Sequence, residues 1–316
     1  MDIEVIGGNE LTAGQQQLWS RLQRADESLA SPYFSAQFTR AVAAVRDDLF
    51  VGVLKDGGET VGFFPFQRDE TRAGRPAGDR FSDYHGIIAR EPGDWTAEDL
   101  LDGCGLVRWD FKHLIASQRL FQKYHSRQTA SPALDLSQGY EAYAEAQRRG
   151  GSQLIKKIET CRRKFEREVG ALRFESHVAD GEVLRELVEG KSAQLTRTGK
   201  EDSFSWGWTR RLLELIHATQ EEDFAGMLSV LCAGDEVVAA HMGMRSRSVW
   251  HYWFPCYSRK FSRYSPGLIL LLEMARSAES LGVRLIDLGR GDDLYKRRFM
   301  NAATTIAEGA VALHEA

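Results

Sequence analysis

Apolar residues recur along the chain with two periods, one of three to four residues and one of two, and their alternation predicts a mixed α/β protein. A weakly apolar strand at 3–6 is followed by a helix around 15–24. The next helix carries stronger signals: Ser31 is placed to cap it, Pro32 to start it, and Phe34, Phe38, Ala41, Val42 and Val45 to form its buried stripe. Two Val- and Phe-rich runs, 49–54 and 60–67, flank Lys55-Asp56-Gly57-Gly58-Glu59 and predict a hairpin. Beyond it the pattern predicts a strand at 81–89, a short helix at 97–102, a strand at 106–111 and a helix within 114–124. A turn at Ser131-Pro132 leads to a domain boundary placed near Ser137.

The second half opens with a helix from Tyr140 that breaks at Gly150-Gly151 and resumes with Leu154, Ile158, Cys161, Phe165 and Val169 on one face. The opposite face holds Lys156, Lys157, Arg162, Arg163, Lys164 and Arg167, which suits an acidic acceptor or a phosphate and equally a solvated helix face. A strand at 172–177, helices at 181–195 and 208–218, and a second hairpin, 227–232 and 237–244 around Ala233-Gly234-Asp235-Glu236, come next. The hairpin repeats the layout of 49–67, so the halves read as weak duplicates. A strand at 249–254, a helix at 266–281, a strand at 283–288, a short polar helix at 293–300 and a last strand or pair within 304–313 complete the chain.

Composition narrows the class. A chain of 316 residues accommodates two ordinary domains, and 43% hydrophobic with 27% charged residues and a mean hydropathy of -0.37 describe a globular protein. A net charge of -4 argues against DNA as a partner. Cys104, Cys161, Cys232 and Cys256 form no metal-ligand or disulfide spacing, so no metal is expected and a reducing compartment fits. The N-terminus lacks a secretory pattern and the longest aliphatic run, 268–272, is far below the ~20 residues of a membrane span. A cytoplasmic location is therefore expected, with peripheral membrane association left open.

Candidate chemistry concentrates in 257–299. Ser265 is a good N-cap and Pro266 a good first helical residue, and Leu268 begins the helical apolar repeat; Arg259, Lys260 and Arg263 precede them, so cations and free helix amides converge where a phosphate would be welcome. Asp287 interrupts an apolar strand and needs a partner, for which Arg290, Lys296 or a substrate amine are candidates. His241 is either a core histidine or a base reaching into a cleft. Trp250, Tyr252, Trp253 and Phe254 fill a core or stack on a sugar.

The segments VVAAHMGMR, WHYWFPCYS, the SPG helix start and IDLGRGDDLYKRRF, with SDYHG at 82–86 and CRRKFEREVGALRFE after the boundary, resemble the GNAT acyl-CoA N-acyltransferases, most closely their CelD-like or BioF2-like branch. The branch is similar in layout to Fem-type aminoacyl transferases. The resemblance implies two tandem GNAT-like domains, each a mixed, mostly antiparallel sheet flanked by helices: a degenerate one over 1–137 and an acyltransferase domain over 138–316. It implies acetyl-CoA or another acyl-CoA as co-substrate and an amine acceptor, an amino sugar, sugar nucleotide or glycan precursor of exopolysaccharide or cell-envelope biosynthesis. Tyr295 would protonate the leaving thiolate, with Asp287 and His241 as further catalytic candidates. Arg263, Ser265, Pro266, Gly267 and Leu268 would bind the cofactor, and Asp83, His85, Trp253 and Lys296 the acceptor. One departure is plain: Arg263-Tyr264-Ser265-Pro266-Gly267 offers one glycine and a proline where the family's phosphate loop is richer in glycine. The alternatives are a Fem-like transferase using aminoacyl-tRNA and a non-catalytic GNAT-fold subunit of polysaccharide biosynthesis.

Overall fold

The computed structural model describes residues 2–90 and 95–313. Packing divides the chain into two compact units, Met1–Ser131 with Thr304–Ala316, and Pro132–Ala303. Among the described residues no helix is long and apolar enough to cross a membrane.

The first unit begins with β1 (Asp2–Gly7), α1 (Ala13–Ala25) and α2 (Ala36–Ala43). A capping box starts α1: Thr12 Oγ1 accepts the Gln15 N–H, and Gln15 Oε1 accepts the Thr12 N–H at 2.9 Å. The second helix starts later than the sequence suggests. Ser31 makes no capping bond and Pro32–Phe34 is a separate 3-10 turn, while Ser35 Oγ accepts the Phe38 N–H at 3.1 Å and caps α2. The hairpin of β2 (Leu49–Asp56) and β3 (Glu59–Arg68) turns through Gly57 and Gly58 at φ 56 and 86, which a two-residue loop of this hand demands.

Next come β4 (Ala73–Pro76), β5 (Ile88–Ala89), α3 (Ala97–Gly103) and β6 (Arg108–Ile115), and β7 (His125–Asp135) leads on into the second unit. Two expectations fail in this stretch. The 81–89 segment is mostly irregular, with only Ile88–Ala89 in a strand, and 114–124 holds the end of β6 and a 3-10 turn, Arg119–Tyr124, instead of an α-helix. Nor do Ser131 and Pro132 form a turn, since both lie inside β7. The core of this unit packs Phe64, Phe66, Trp109, Phe111 and Phe121, all essentially inaccessible to water.

The second unit continues with α4 (Tyr140–Arg149), α5 (Leu154–Glu168), β8 (Leu172–Glu175), α6 (Gly181–Arg197) and α7 (Gly207–Ala218). It closes with β9 (Ala225–Ala233), β10 (Glu236–Arg245), β11 (Val249–Tyr257), α8 (Pro266–Ser277), β12 (Leu285–Asp287) and α9 (Leu294–Phe299). Its strands run in the order β7-β12-β11-β10-β9-β8, antiparallel except for β11 beside β12. The crossover helix α8 is apolar nearly all round because it is buried: Ile269, Leu270, Leu271, Leu272 and Met274 are all inaccessible. On α5, Leu154, Ile158 and Phe165 are buried as expected, but Val169 lies past the helix end and is exposed.

The last strand, β13 (Ala302–Ala312), pairs antiparallel with β6 and so belongs largely to the first unit, whose strand order is β1-β2-β3-β4-β6-β13 with β5 on β3. Layout repeats between the units. Strand, two helices and hairpin recur as β1-α1-α2-β2-β3 and β8-α6-α7-β9-β10, and in each case the opening strand pairs antiparallel with the first hairpin strand.

Candidate active site

The parallel pair β11–β12 is short and then parts. Val249 faces Leu285, Trp250 faces Ile286 and His251 faces Asp287, where β12 stops, while β11 runs on to Tyr257 with β10 on its other edge. The start of α8 lies beside the far end of β11, since a Cβ added to Gly267 would sit 3.5 Å from the Tyr257 ring. A cleft at the carboxyl ends of parallel strands, with a helix start at its rim, is the usual ligand position in an α/β sheet.

β11 carries a bulge. Met242 pairs with Phe254 but Met244 with His251, so Tyr252 and Trp253 together oppose Gly243. Gly243 is obligatory here, because a Cβ would meet the His251 carbonyl oxygen at 2.2 Å. His241 uses the distortion: its Nε2 accepts the Trp253 N–H at 3.0 Å and its ring stacks on Tyr252 with centroids 4.6 Å apart. Burial, helped by the neighbouring His251, holds the imidazole down at about 3, so it is neutral at physiological pH. With no exposed surface and Nε2 occupied, His241 fits the core alternative, not a base reaching into the cleft.

This depressed value has a measurable sign. The neutral ring contributes stability in full above the ordinary histidine range near 6.5, and that contribution is lost as pH falls towards about 3, by up to ~1.4 kcal/mol per pH unit. Unfolding free energies at pH 6 and pH 4 should therefore diverge less in His241→Gln than in the wild type. Equal slopes would remove the assignment.

Asp287 is buried and finds a partner the sequence did not suggest. Its Oδ1 accepts the Gly289 N–H at 2.6 Å and lies 3.6 Å from His251 Nδ1, its cross-strand neighbour. Lys296 is buried too and turns inward, donating to the carbonyls of Gly289 at 3.1 Å and Arg290 at 2.8 Å, with Asp293 Oδ2 at 3.9 Å. The loop after β12 is thus held by Asp287 on its amide side and by Lys296 on its carbonyl side. That loop delivers Tyr295, whose ring packs edge-on to Tyr252 of β11 with centroids 6.4 Å apart. Burial pushes the Tyr295 phenol up from its ordinary value, with the Asp293 carboxylate adding to the shift, so it remains a proton donor. Trp253 is half-buried and stacks on Phe254 at 4.4 Å.

The phosphate-site expectation is corrected in three details. Ser265 occupies the left-handed region at φ 55 and ψ 51 and makes no side-chain cap. Its carbonyl takes the N–H groups of Leu268 and Ile269, and Pro266 has none, which leaves Gly267 as the one amide of this first turn without a backbone partner among the described residues. Two of the three cations are also engaged, while Arg259 is exposed. Lys260 pairs with Glu236 at 2.8 Å, and Arg263 donates to the Tyr264 hydroxyl, which donates in turn to Glu168 at 2.8 Å.

Asp83 and His85 lie in the first unit, together with His113. Asp83 Oδ1 is 3.4 Å from His113 Nδ1, and His85 Nε2 accepts the His113 backbone N–H at 3.2 Å. Burial holds the His85 imidazole well below its usual range, with His113 acting in the same direction and Asp83 against it. Sequence reasoning missed His251, Gly243, His113 and the Glu168–Tyr264 pair. Of these only His251, a polar residue inside an apolar strand, carried a local signal.

Residues 152–297 match the profile of the Acetyltransf_6 family, described as Acetyltransferase (GNAT) domain. This segment belongs to the GNAT superfamily. The GNAT segment contains the hairpin, the β11–β12 pair, α8 and Tyr295, that is, the whole cleft described above. No curated protein matches the sequence significantly. Solved structures resemble this chain over nearly its whole length at low identity. FemX is 10% identical with a TM-score of 0.65, over 97% of this chain and 96% of that one. A tandem GNAT protein from the clavulanic acid biosynthesis pathway is 10% identical with a TM-score of 0.54, over the whole of both chains. A conserved protein of unknown function from Bacteroides thetaiotaomicron VPI-5482 is 11% identical with a TM-score of 0.55, over 97% and 99%. At such identities the likeness concerns the fold: mixed α/β, mostly antiparallel, of the tandem GNAT and FemX kind.

Proposed function

We propose that the second unit is an N-acyltransferase that moves an acyl group from a coenzyme A thioester to an amine. The observation that carries this reading is the parting of β11 and β12 at His251 and Asp287, with the start of α8 beside one strand end and Tyr295 delivered from the other. A pantetheine arm laid along the open edge of β11 would find backbone groups to hydrogen-bond and a thioester end near Tyr295. The amine nitrogen attacks the thioester carbonyl, the C–S bond breaks, and the Tyr295 hydroxyl protonates the leaving thiolate, while the nitrogen gives up its proton to solvent water, from which the Tyr295 phenolate regains one. Asp287, Lys296 and His241 act as positioning residues in this reading: the first two hold the loop that carries Tyr295, and the third fixes the bulge.

The first unit is, on the same reading, a degenerate GNAT-like domain. It repeats the strand, two helices and hairpin, but the strand after the hairpin, β4, has only four residues and α3 seven. The acceptor is inferred to be a small-molecule amine, and an amino sugar of an envelope or exopolysaccharide precursor is the class the family resemblance suggests. Such a donor places the reaction in the cytoplasm. Thermal unfolding with acetyl-, octanoyl- and palmitoyl-CoA tests the donor: saturation at a hundred times Kd stabilises by ~2.7 kcal/mol, a shift of several degrees. An unfolding temperature that no acyl-CoA moves would remove coenzyme A as the donor.

A further inference from the structure

We propose that the acyl donor reaches this cleft as a thioester on the phosphopantetheine arm of an acidic acyl carrier protein, docked on the basic face of α5. The inference rests on the acyl-transfer reading and specifies its donor.

The face is built from one helix. Lys156, Arg163 and Arg167 recur at i, i+7 and i+11, opposite the buried Leu154, Ile158 and Phe165, and Lys157 and Lys164 stand at their shoulder. The acids of α5 are all paired, and only Glu168 pairs with a member of the stripe. Glu159 takes Arg276, Glu166 takes Arg162 at 3.1 Å, and Glu168 takes the Tyr264 hydroxyl at 2.8 Å together with Arg167 at 3.1 Å. Lys156, Lys157 and Arg163 are exposed, and among the described residues none of the three has an ion-pair partner. What remains is a narrow positive stripe along a helix of 15 residues, about 22 Å long.

The stripe ends at the cleft. Phe165 packs on Phe261 at 5.2 Å and on Tyr264 at 5.1 Å, Lys164 lies over the Tyr264 ring, and Glu168 holds Tyr264, two residues before α8 begins. A partner seated on α5 would therefore stand beside the mouth through which a pantetheine arm enters. The helix start itself is sparsely equipped for the pyrophosphate and ribose phosphate of coenzyme A: among the described residues it offers one amide without a backbone partner, a proline, and one exposed cation, Arg259, beside Lys260 and Arg263, which are already engaged. An arm on a carrier protein has a single phosphodiester at that end, and its protein supplies the remaining affinity through charge complementarity.

A nucleic acid fits less well. The stripe is one helix wide, the chain as a whole has net charge -4, and a polynucleotide would need a broader positive field. In the transfer itself the acceptor nitrogen bonds to the thioester carbon, the carbon–sulfur bond breaks, and the thiol stays on the carrier's arm, so the equation balances as with coenzyme A.

The test measures binding by thermophoresis at low and moderate salt. The probes are octanoyl-loaded acidic bacterial acyl carrier protein, the same carrier without its arm, octanoyl-CoA and bulk tRNA. Binding partners meet the wild type and a Lys156→Glu, Lys157→Glu, Arg163→Glu variant, whose melting temperature confirms folding. The expected result is at least tenfold tighter binding of the loaded carrier than of octanoyl-CoA, and at least a tenfold loss in the variant for the carrier alone. Octanoyl-CoA binding without carrier binding overturns the carrier inference and leaves acyl transfer standing. Binding of neither thioester overturns both, and tRNA binding tighter than the carrier's, lost in the variant, assigns the face to nucleic acid instead.

Discussion

Replacing Tyr295 by phenylalanine is expected to lower the turnover number for acyl transfer about 100-fold, the usual scale for one positioned general acid, with little change in KM for the thioester. The substitution keeps the ring that packs edge-on to Tyr252 and removes only the hydroxyl. Because burial pushes this phenol upward, it stays protonated at every pH where the protein would be assayed, so its ionisation should not limit the wild-type rate on the alkaline side until pH rises above 10. Release of thiol followed with a colorimetric reagent gives both constants. A Tyr295→Phe enzyme with wild-type turnover would leave the hydroxyl with a packing role and require another proton donor.

The second large effect concerns stability. Asp287→Ala should cost about 3 kcal/mol, because it strands the Gly289 N–H beneath the surface and removes the carboxylate that faces His251. Asp287→Asn retains an acceptor oxygen in the same place and should cost nearer 1 kcal/mol. Urea unfolding of the two variants beside the wild type resolves the difference. The mechanism adds a further expectation: since Asp287 and Lys296 hold the loop that delivers Tyr295, the alanine variant should lose turnover even under conditions where it remains folded. Equal stability of the alanine variant and the wild type would mean that the loop is held by other contacts.

Much of this architecture is legible in local pattern. The hairpins at β2–β3 and β9–β10 follow from apolar runs around Gly-containing turns, and α8 from an unbroken apolar helix behind a proline. Periodicity also placed Asp287 in a strand and Tyr295 on the helix after it. What it could not give are pairings between remote segments. Asp287 meets His251 because β12 lies parallel to β11, and nothing local to either residue announces the register. Arg263 and Lys260 read as free cations beside a helix start, yet Glu168 on α5 and Glu236 on β10 bring their acids to them in the folded chain. Ser265 has the side chain of a cap but the backbone of a left-handed turn, and the preceding Phe261 and Tyr264 pack on Phe165 of α5, a tertiary contact that local propensity does not announce. The apolar segment at 81–89 looked like a strand because buried irregular chain is as apolar as a sheet; here Ser82, His85 and Ile87 are tied down by individual bonds, such as the Gln118 side chain on both backbone groups of Ile87.

Amide hydrogen exchange with and without saturating acetyl-CoA tests the central claim, that an acyl thioester lies in the cleft where β11 and β12 part. The account predicts slower exchange at 256–257 on the open end of β11, at Gly267 of α8 and in the loop at 289–291, with β1–β3 of the first unit unchanged. Slowing confined to the first unit, or none anywhere at a ligand concentration that raises the melting temperature, would contradict it.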